Sequence, residues 1–203
     1  MSKRPGAVSA ETKERLLSAA REEFAEYGFQ GSSLRRICSA AGVTTGALYF
    51  FFDGKDDLFR AVLAQITDPF WELIRAHYAR ERASSARDSA AGADADFEVA
   101  ELLISLYFRS RQTWDILLHH LSHPAVRSFL DAFIDCSTEH YVNLLSASGN
   151  QVPDSFAIHL FVHMQADSML TLLSHSFSQE EMMLHARTVI RMLRGAFRAL
   201  LAE

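Results

Sequence analysis

Two short helical patterns joined by a tight turn constrain the fold of this chain more than any other feature. The apolar residues of the first pattern follow the i, i+3, i+4, i+7 spacing of one buried helix face and are Leu34, Ile37, Cys38 and Ala41. Gly42 follows, at the point where a chain that leaves a helix needs a positive φ. Ser32 or Ser33 is placed to cap the first helix, and Thr44 or Thr45 to cap the second. The segment is therefore predicted to be a helix-turn-helix.

The second helix is short, and the sequence predicts two different faces for it. Ala47 and Leu48 point inward, while Thr45, Gly46 and Tyr49 point outward. A small hydroxyl and a glycine allow close approach to the base edges of a DNA duplex, and a phenol can donate to a phosphate. The outer face is therefore predicted to read DNA.

Residues around this helix are expected to add further DNA contacts. Arginines and a lysine supply charge for phosphates, and helix N-termini present backbone N–H groups to them. Phe52 and one of its two neighbouring phenylalanines are expected in the core, and the apolar ring of Phe50 can touch a thymine methyl group. The candidate DNA-binding residues are Ser32, Ser33, Arg35, Arg36, Thr44, Thr45, Gly46, Tyr49, Phe50 and Lys55.

The charge of the chain is unevenly distributed. The whole chain carries a formal net charge of −5, whereas residues 1–60 hold nine Lys or Arg against eight Asp or Glu and so carry +1. This small excess neutralises only a few phosphates, so useful affinity is expected to require a dimer.

An ordered series of motifs identifies a family resemblance in residues 11–60. The series begins with an amphipathic first helix, whose apolar face carries Leu16, Leu17, Ala20, Phe24 and Tyr27, and with a helix stop at Tyr27-Gly28-Phe29. It continues with Ser32-Ser33, Ala41-Gly42-Val43, Gly46-Ala47-Leu48-Tyr49, Phe52, Lys55 and Leu58-Phe59. In this order it closely resembles the N-terminal DNA-binding domain of the TetR/AcrR family of bacterial transcriptional regulators. Thr45 stands where the family commonly has lysine, and Phe50 and Phe51 stand where tyrosine or histidine is frequent.

The rest of the chain also has a helical pattern, with four prolines and no period-two alternation. The fold is predicted to be all-α, with a three-helix helix-turn-helix head over residues 1–55 and a helical-bundle body over 56–203. Helices are predicted near residues 56–82, 97–108, 124–146 and 153–175, and residues 82–96 are expected to form a loop or frayed helix ends. Ser178 and Glu181 have capping-box spacing at the start of a last helix.

The last two predicted helices carry more apolar residues than the core of one subunit can cover, which indicates a homodimer. The resemblance implies the same arrangement, a four-helix bundle formed by the last two helices of each subunit. The DNA partner is accordingly expected to be a palindromic double-stranded operator.

The resemblance further implies a small-molecule pocket in the body, where binding reorients the two heads and releases the operator. Candidate pocket residues are the aromatic or polar groups on otherwise apolar helices, and they are Tyr107, Trp114, His120, Phe133, Phe161, Met164, Gln165 and Asp167. Asp167 has the strongest individual case, because an acid on so apolar a helix needs a partner such as a histidine, another subunit or a cationic ligand.

Nine histidines raise the question of a metal site. His159 and His163 are spaced i, i+4, and His120 and His123 are spaced i, i+3. The H-E-x-x-H and di-iron carboxylate patterns are absent, so neither a metal site nor a cofactor is predicted.

The predicted function is a sequence-specific DNA-binding transcriptional regulator, a homodimeric repressor released by a ligand. No catalytic residue is predicted, because G-x-S-x-G, P-loop and dinucleotide-binding motifs are absent. The alternatives are a helical dimeric interaction protein with weakened DNA binding, and an unrecognised helical-bundle enzyme. No leader-like or membrane-spanning apolar run is visible, and two isolated cysteines suit reduced thiols, so a cytoplasmic protein without a membrane partner is expected.

Overall fold

The computed structural model describes residues 5–83, 89–147 and 154–200, and in these ranges the chain forms helices and connecting turns without strands. The all-α fold class predicted from the sequence is confirmed. The helices are α1 (Pro5–Gly31), α2 (Leu34–Ala41), α3 (Thr45–Phe51), α4 (Lys55–Ala83), α5 (Ser89–Arg109), α6 (Arg111–His119), α7 (Pro124–Ala147), α8 (Ser155–Leu173) and α9 (Gln179–Leu200).

The chain divides into two compact units. The N-terminal unit contains the described residues up to Asp68 together with Ser110–Ala125, and therefore α1 to α3, the first part of α4, and α6. The C-terminal unit contains Pro69–Arg109 and the described residues from Val126 onward. The boundary predicted between residues 55 and 56 falls at the start of α4 and stays a prediction.

The core of the N-terminal unit is built around aromatic rings. Phe24 and Phe59 are almost fully buried, and their ring centroids lie 5.0 Å apart in an edge-to-face arrangement. Phe29 packs against Phe59 at 5.1 Å. Aromatic pairs in this geometry stabilise a fold by more than the burial of their surface accounts for. These rings therefore hold α1 against α4.

Two glycines of the N-terminal unit adopt a positive φ where a helix is interrupted or ends. Gly28 has φ 65° and interrupts the helical geometry of α1, in agreement with the stop predicted after Tyr27. Gly42 has φ 65° and ends α2 in the left-handed conformation predicted for it. The N–H of Val43 then donates to the carbonyl of Cys38, which closes the turn before α3.

Three local predictions differ from the structure. Tyr27 is 47% exposed rather than part of the buried face of α1, and the guanidinium of Arg36 lies 4.3 Å from its ring centroid. Residues 82–96 are expected to form a loop or frayed helix ends, but residues 82–83 end α4 and residues 89–96 begin α5, because their alanine-rich composition favours a helix. Residues 84–88 lie outside the described part of the chain. Helix α6 was not predicted as a separate element.

Helices α5, α7, α8 and α9 make up most of the C-terminal unit, where α5 and α8 both contact α9. The capping box at the start of α9 is confirmed: the N–H of Glu181 donates to Ser178 Oγ at 3.2 Å, and the N–H of Ser178 donates to Glu181 Oε2 at 2.9 Å. By length and composition alone, α8 is apolar enough to cross a membrane, a weak indication that helices of soluble proteins also give.

Candidate DNA-binding surface and body cavity

The outer face of α3 is exposed as the sequence predicts. Thr45 and Gly46 are exposed, Tyr49 is 59% exposed and Phe50 is 78% exposed. On the opposite side, Leu48 is fully buried and anchors the helix. The face therefore offers a hydroxyl, a bare backbone, a phenol and an apolar ring to a partner.

Both ends of α3 are held in place. At its start, Thr44 Oγ1 accepts a hydrogen bond from the N–H of Ala47 at 3.2 Å, which confirms the predicted cap. At its end, Phe52 is 3% exposed, as expected for a core residue, and its N–H donates to the carbonyl of Leu48. A short helix fixed at both ends presents its outer residues in a defined geometry.

The N-terminus of α2 is capped by a residue that the sequence did not indicate. Ser33 occupies the N-cap position but its side chain makes no capping hydrogen bond. Its backbone N–H donates instead to Glu23 Oε1 at 2.7 Å. Ser32 is buried, and its hydroxyl donates to the carbonyl of Phe29 at 2.7 Å. The prediction that a serine side chain caps α2 was wrong: the Ser32 hydroxyl is engaged with α1, the Ser33 side chain makes no capping hydrogen bond, and Glu23 of α1 accepts from the N-cap N–H.

Glu23 also pairs with Arg36, whose Nε donates to Glu23 Oε1 at 2.8 Å. Burial by itself raises the pKa of Glu23, but the hydrogen bonds from Arg36 and Ser33 and the charges of Arg36 and Lys55 outweigh it and lower the pKa. A second nitrogen of Arg36 donates to the carbonyl of Gly31 at 2.7 Å. Arg36 of α2 is thus hydrogen-bonded to two residues of α1, and these bonds orient α2 against α1.

Lys55 closes the end of α1. Its ammonium donates to the carbonyls of Phe29 at 2.7 Å, Ser32 at 3.2 Å and Gln30 at 3.3 Å. A cation at a helix C-terminus satisfies carbonyls that have no intrahelical partner. These contacts indicate a structural task for Lys55 and leave fewer of its donors for a phosphate.

The ten predicted DNA-binding residues therefore separate into two groups. Ser32, Arg36 and Lys55 are engaged inside the N-terminal unit, and Ser33 is half-buried beside Glu23. The second group is exposed and consists of Arg35, Thr44, Thr45, Gly46, Tyr49 and Phe50. Arg36 is exposed as well, but its guanidinium is hydrogen-bonded to Glu23. The contacts of each residue with DNA stay predictions.

Helix α6 supports the N-terminal unit through His120, just beyond its end. The N–H of Phe29, directly after the break at Gly28, donates to His120 Nε2 at 2.9 Å. The other ring nitrogen, Nδ1, lies 2.6 Å from the carbonyl of Ile116. An acceptor at Nε2 requires the neutral ring with its proton on Nδ1. His120, predicted as a pocket residue, thus lies against α1.

The C-terminal unit contains a cavity of about 300 Å³. Three of the predicted pocket residues line it, namely Phe133, Phe161 and Gln165. The structure places the others elsewhere: Trp114 and His120 belong to the N-terminal unit, the Tyr107 hydroxyl donates to the carbonyl of Leu173, and Met164 and Asp167 are exposed. An exposed Asp167 is solvated, which removes the argument that it needs a partner.

One wall of the cavity carries charged and polar groups. Gln165 Nε2 donates to the Tyr141 hydroxyl at 2.8 Å, and Arg194 Nη1 donates to Asp96 Oδ2 at 3.1 Å. Burial and the nearby charge of Glu81 raise the pKa of Asp96 to about 6, despite the opposing effect of Arg194.

His77, Glu81 and Asp96 were not predicted as functional residues. The i, i+4 spacing of His77 and Glu81 was the only available signal, because it places both side chains on one helix face. Asp96 lay in a segment expected to form a loop or frayed helix ends.

Comparison with known proteins identifies the N-terminal region. Residues 16–62 match the family described as bacterial regulatory proteins, tetR family. The chain is 46% identical over 74 residues to the HTH-type transcriptional regulator RutR of Escherichia coli (strain K12). It is 40% identical over 72 residues to the HTH-type transcriptional repressor BepR of Brucella suis biovar 1 (strain 1330). Each match covers 36% of this chain and 34% of the relative, so the chain matches about a third of the relatives' own length.

The likeness of fold extends over nearly the whole chain. SmeT, the repressor of the Stenotrophomonas maltophilia multidrug efflux pump SmeDEF, has a TM-score of 0.68 to this structure. The match covers 92% of this chain and 91% of SmeT at 20% sequence identity. Identity this low shows the fold alone, a helix-turn-helix head followed by a helical body. The resemblance stated from the sequence is confirmed.

Proposed function

We propose that this chain, a TetR-family transcriptional regulator with an N-terminal DNA-binding domain, is a homodimeric repressor released from a palindromic operator by a small molecule. The DNA-binding domain corresponds to residues 1–55, and the ligand-binding and dimerisation domain to residues 56–203. The protein acts in the cytoplasm, by binding rather than by catalysis.

The exposed outer face of α3 carries this proposal. A helix whose buried side is anchored by Leu48 and whose start is capped by Thr44 keeps its outer residues available for the major groove. Exposed Tyr49 suits a phosphate contact, and Thr45 and Gly46 suit close approach to base edges. Arg35, which is also exposed, adds charge at α2.

We expect Tyr49→Phe to weaken binding to all duplexes alike, because it deletes one hydroxyl and keeps the ring. One phosphate hydrogen bond contributes about 1 kcal/mol, so a dimer with two such contacts loses about 30-fold in affinity. Gly46→Ala should change the preference between sequences instead. A Cβ on Gly46 meets Thr44 Oγ1 at 3.8 Å, an ordinary contact that leaves the fold intact.

Fluorescence anisotropy tests both variants against DNA flanking the protein's own gene and against a scrambled duplex, at two salt concentrations. Tyr27→Phe is the matched control, since it deletes an exposed hydroxyl outside α3. Equal losses on every duplex for both α3 variants would contradict base reading by Gly46. Wild-type binding that is weak on both duplexes and abolished by salt would favour the interaction-protein alternative.

Dimerisation through α8 and α9 is supported by their exposed apolar residues. Phe156, Leu160 and Met164 follow an i, i+4, i+8 stripe on α8 and are 67%, 51% and 46% exposed. On α9, Leu184 and Met192 are 63% and 69% exposed. An apolar stripe of this kind is costly in water and is covered when two copies associate.

We expect Leu160→Glu to convert the dimer to a monomer, because it buries an unpaired charge in the middle of the α8 stripe. Sedimentation equilibrium measures the change as a fall from twice the chain mass to the chain mass. Leu102→Glu is the matched control, since Leu102 is 46% exposed on α5, outside both helices. A monomeric wild type, or a Leu160→Glu variant that stays dimeric, would contradict this interface.

The cavity of about 300 Å³ in the C-terminal unit supports the small-molecule part of the proposal. Aromatic rings and a few polar groups around such a volume are typical of ligand sites. Release of the operator by a small molecule requires that the molecule binds the DNA-free state of the protein more tightly than the DNA-bound state.

A further inference from the structure

Three metal-ligating side chains meet in the wall of the C-terminal cavity. His77 and Glu81 are one turn apart on α4, and Asp96 comes from α5. One nitrogen of His77 and one oxygen from each carboxylate all lie within 4.8 Å of one another. Two helices therefore bring one imidazole and two carboxylates to a common point.

The spacing of these atoms suits a bound ion better than direct hydrogen bonds. His77 Nε2 lies 3.5 Å from Asp96 Oδ1 and 3.6 Å from Glu81 Oε2. Good hydrogen bonds to nitrogen are shorter, about 2.7–3.2 Å. Two ligands that are each about 2.0–2.1 Å from a tetrahedral zinc ion lie about 3.3 Å apart. The two separations from His77 therefore need to change by only a few tenths of an ångström to hold such an ion, and the third pair of ligand atoms lies within 4.8 Å.

His77 itself is buried, with 6% of its surface exposed. Its Nδ1 atom makes no hydrogen bond within the described part of the chain. Burying a polar ring without good hydrogen bonds is unfavourable. A metal bond at Nε2 compensates for part of this cost, which gives a physical reason for a histidine at this position.

The two carboxylates are oriented by further hydrogen bonds. Arg194 donates to Asp96 Oδ2, which leaves Asp96 Oδ1 facing His77. The ring of His140 contacts Glu81 Oε2 through Nε2 at 2.8 Å. Hydrogen bonds of this kind fix the orientation of ligating carboxylates in known metal sites.

His140 is itself held by its surroundings. Its ring stacks on Tyr78 with centroids 3.9 Å apart, and the Tyr78 and Ser137 hydroxyls share a hydrogen bond of 2.7 Å. His140, which contacts Glu81, is therefore held in position before any ion binds. Such preorganisation reduces the entropy lost on binding.

We propose that His77, Glu81 and Asp96 bind a divalent transition-metal ion in the wall of the body cavity. An imidazole nitrogen with two carboxylate oxygens suits zinc, manganese or ferrous iron, and the imidazole favours these ions over magnesium and calcium. Three protein ligands leave coordination positions for water or a ligand atom. The site goes beyond the proposed function and does not depend on DNA binding.

Zinc binding by a pair of histidines on the surface of α8 has to be distinguished from zinc binding at this site. His159 Nε2 and His163 Nε2 lie 3.0 Å apart on α8, one turn from each other. Two neighbouring imidazoles on one helix face can also bind zinc. The His159→Ala, His163→Ala double variant of the full chain is therefore the background for the test.

Isothermal titration of metal-free protein with zinc chloride should give one site per chain in this background. His77→Ala should weaken zinc binding at least 100-fold and Asp96→Asn at least 10-fold, while His119→Ala, an exposed histidine on α6, changes nothing. Circular dichroism checks that each variant is folded. Asp96→Asn keeps the shape of the side chain, so the test remains valid if His77→Ala fails to fold.

Cobalt(II) provides a second readout, since its visible absorption reports coordination by protein nitrogen and oxygen. We expect absorption bands in the background protein and their loss in Asp96→Asn. Absence of zinc binding in the background, or affinity unchanged in both His77→Ala and Asp96→Asn, would overturn the proposal. In that case the cluster is an internal ion-pair network.

Discussion

Phe59→Ala is expected to lower the free energy of unfolding of the N-terminal unit by about 3–5 kcal/mol. Phe59 is fully buried, and its ring packs against Phe24 at 5.0 Å and Phe29 at 5.1 Å. It also contacts His123 at 4.5 Å and His120 at 5.5 Å. Removing the ring leaves a cavity where α1, α4 and the segment after α6 meet, and close-packed surroundings fill it only partly.

Phe50→Ala is the matched control, because the same atoms are removed from a ring that is 78% exposed. It should change stability by less than about 0.5 kcal/mol. Urea unfolding gives the overall effect, and hydrogen exchange of amides in α1 to α3 reports the N-terminal unit separately. A cost below about 1 kcal/mol for Phe59→Ala, or equal costs for the two variants, would contradict the packing described here.

Glu23→Ala is expected to destabilise the N-terminal unit by about 2–3 kcal/mol. The change leaves the N–H of Ser33 and the guanidinium of Arg36 without the carboxylate that accepts from them at 2.7 and 2.8 Å. Glu14→Ala is the matched control, because Glu14 is exposed on the same helix. Urea unfolding at neutral pH measures both variants, and similar costs would show that Glu23 does not cap α2.

The same contacts predict that the free energy of unfolding depends on pH, and comparison with the variant Glu23→Gln tests this. The pKa of Glu23 is lower in the folded chain than its ordinary value of 4.5, so the unfolded chain binds more protons. The stabilisation is present above this ordinary value and is lost as the pH falls through the lower folded pKa. The stability difference between wild type and Glu23→Gln should therefore shrink below about pH 5. A difference that stays constant down to pH 3 would contradict the shift.

Local features of the N-terminal unit were predictable because their causes act within a few residues. The positive φ of Gly42, the cap by Thr44 and the burial of Leu48 all follow from periodicity and turn chemistry. The exposure of Tyr49 follows from the same helical period. Capping of α2 was predicted incorrectly, because Glu23, ten residues earlier in the chain, accepts from the N–H of Ser33, and the Ser33 hydroxyl makes no capping hydrogen bond.

Side chains that join distant segments were not predictable in the same way. His120 accepts from the N–H of Phe29, a residue 91 positions away in the chain. A histidine on an apolar helix suits a ligand pocket equally well, and only packing distinguishes the two. Asp167 is a second example. Its position on an apolar helix indicated a carboxyl group in need of a partner, but the structure exposes it to solvent.

The sequence by itself determined the all-α class, the helix-turn-helix and the outward face of α3, because helix periodicity, capping and turn conformations are local. Only the tertiary structure decided that Glu23 caps α2 and that His120 supports α1. It alone brought Asp96 beside His77 and Glu81. The physical reason is that burial, pairing and pKa depend on which distant groups come within a few ångströms, and helical periodicity carries no information on those distances.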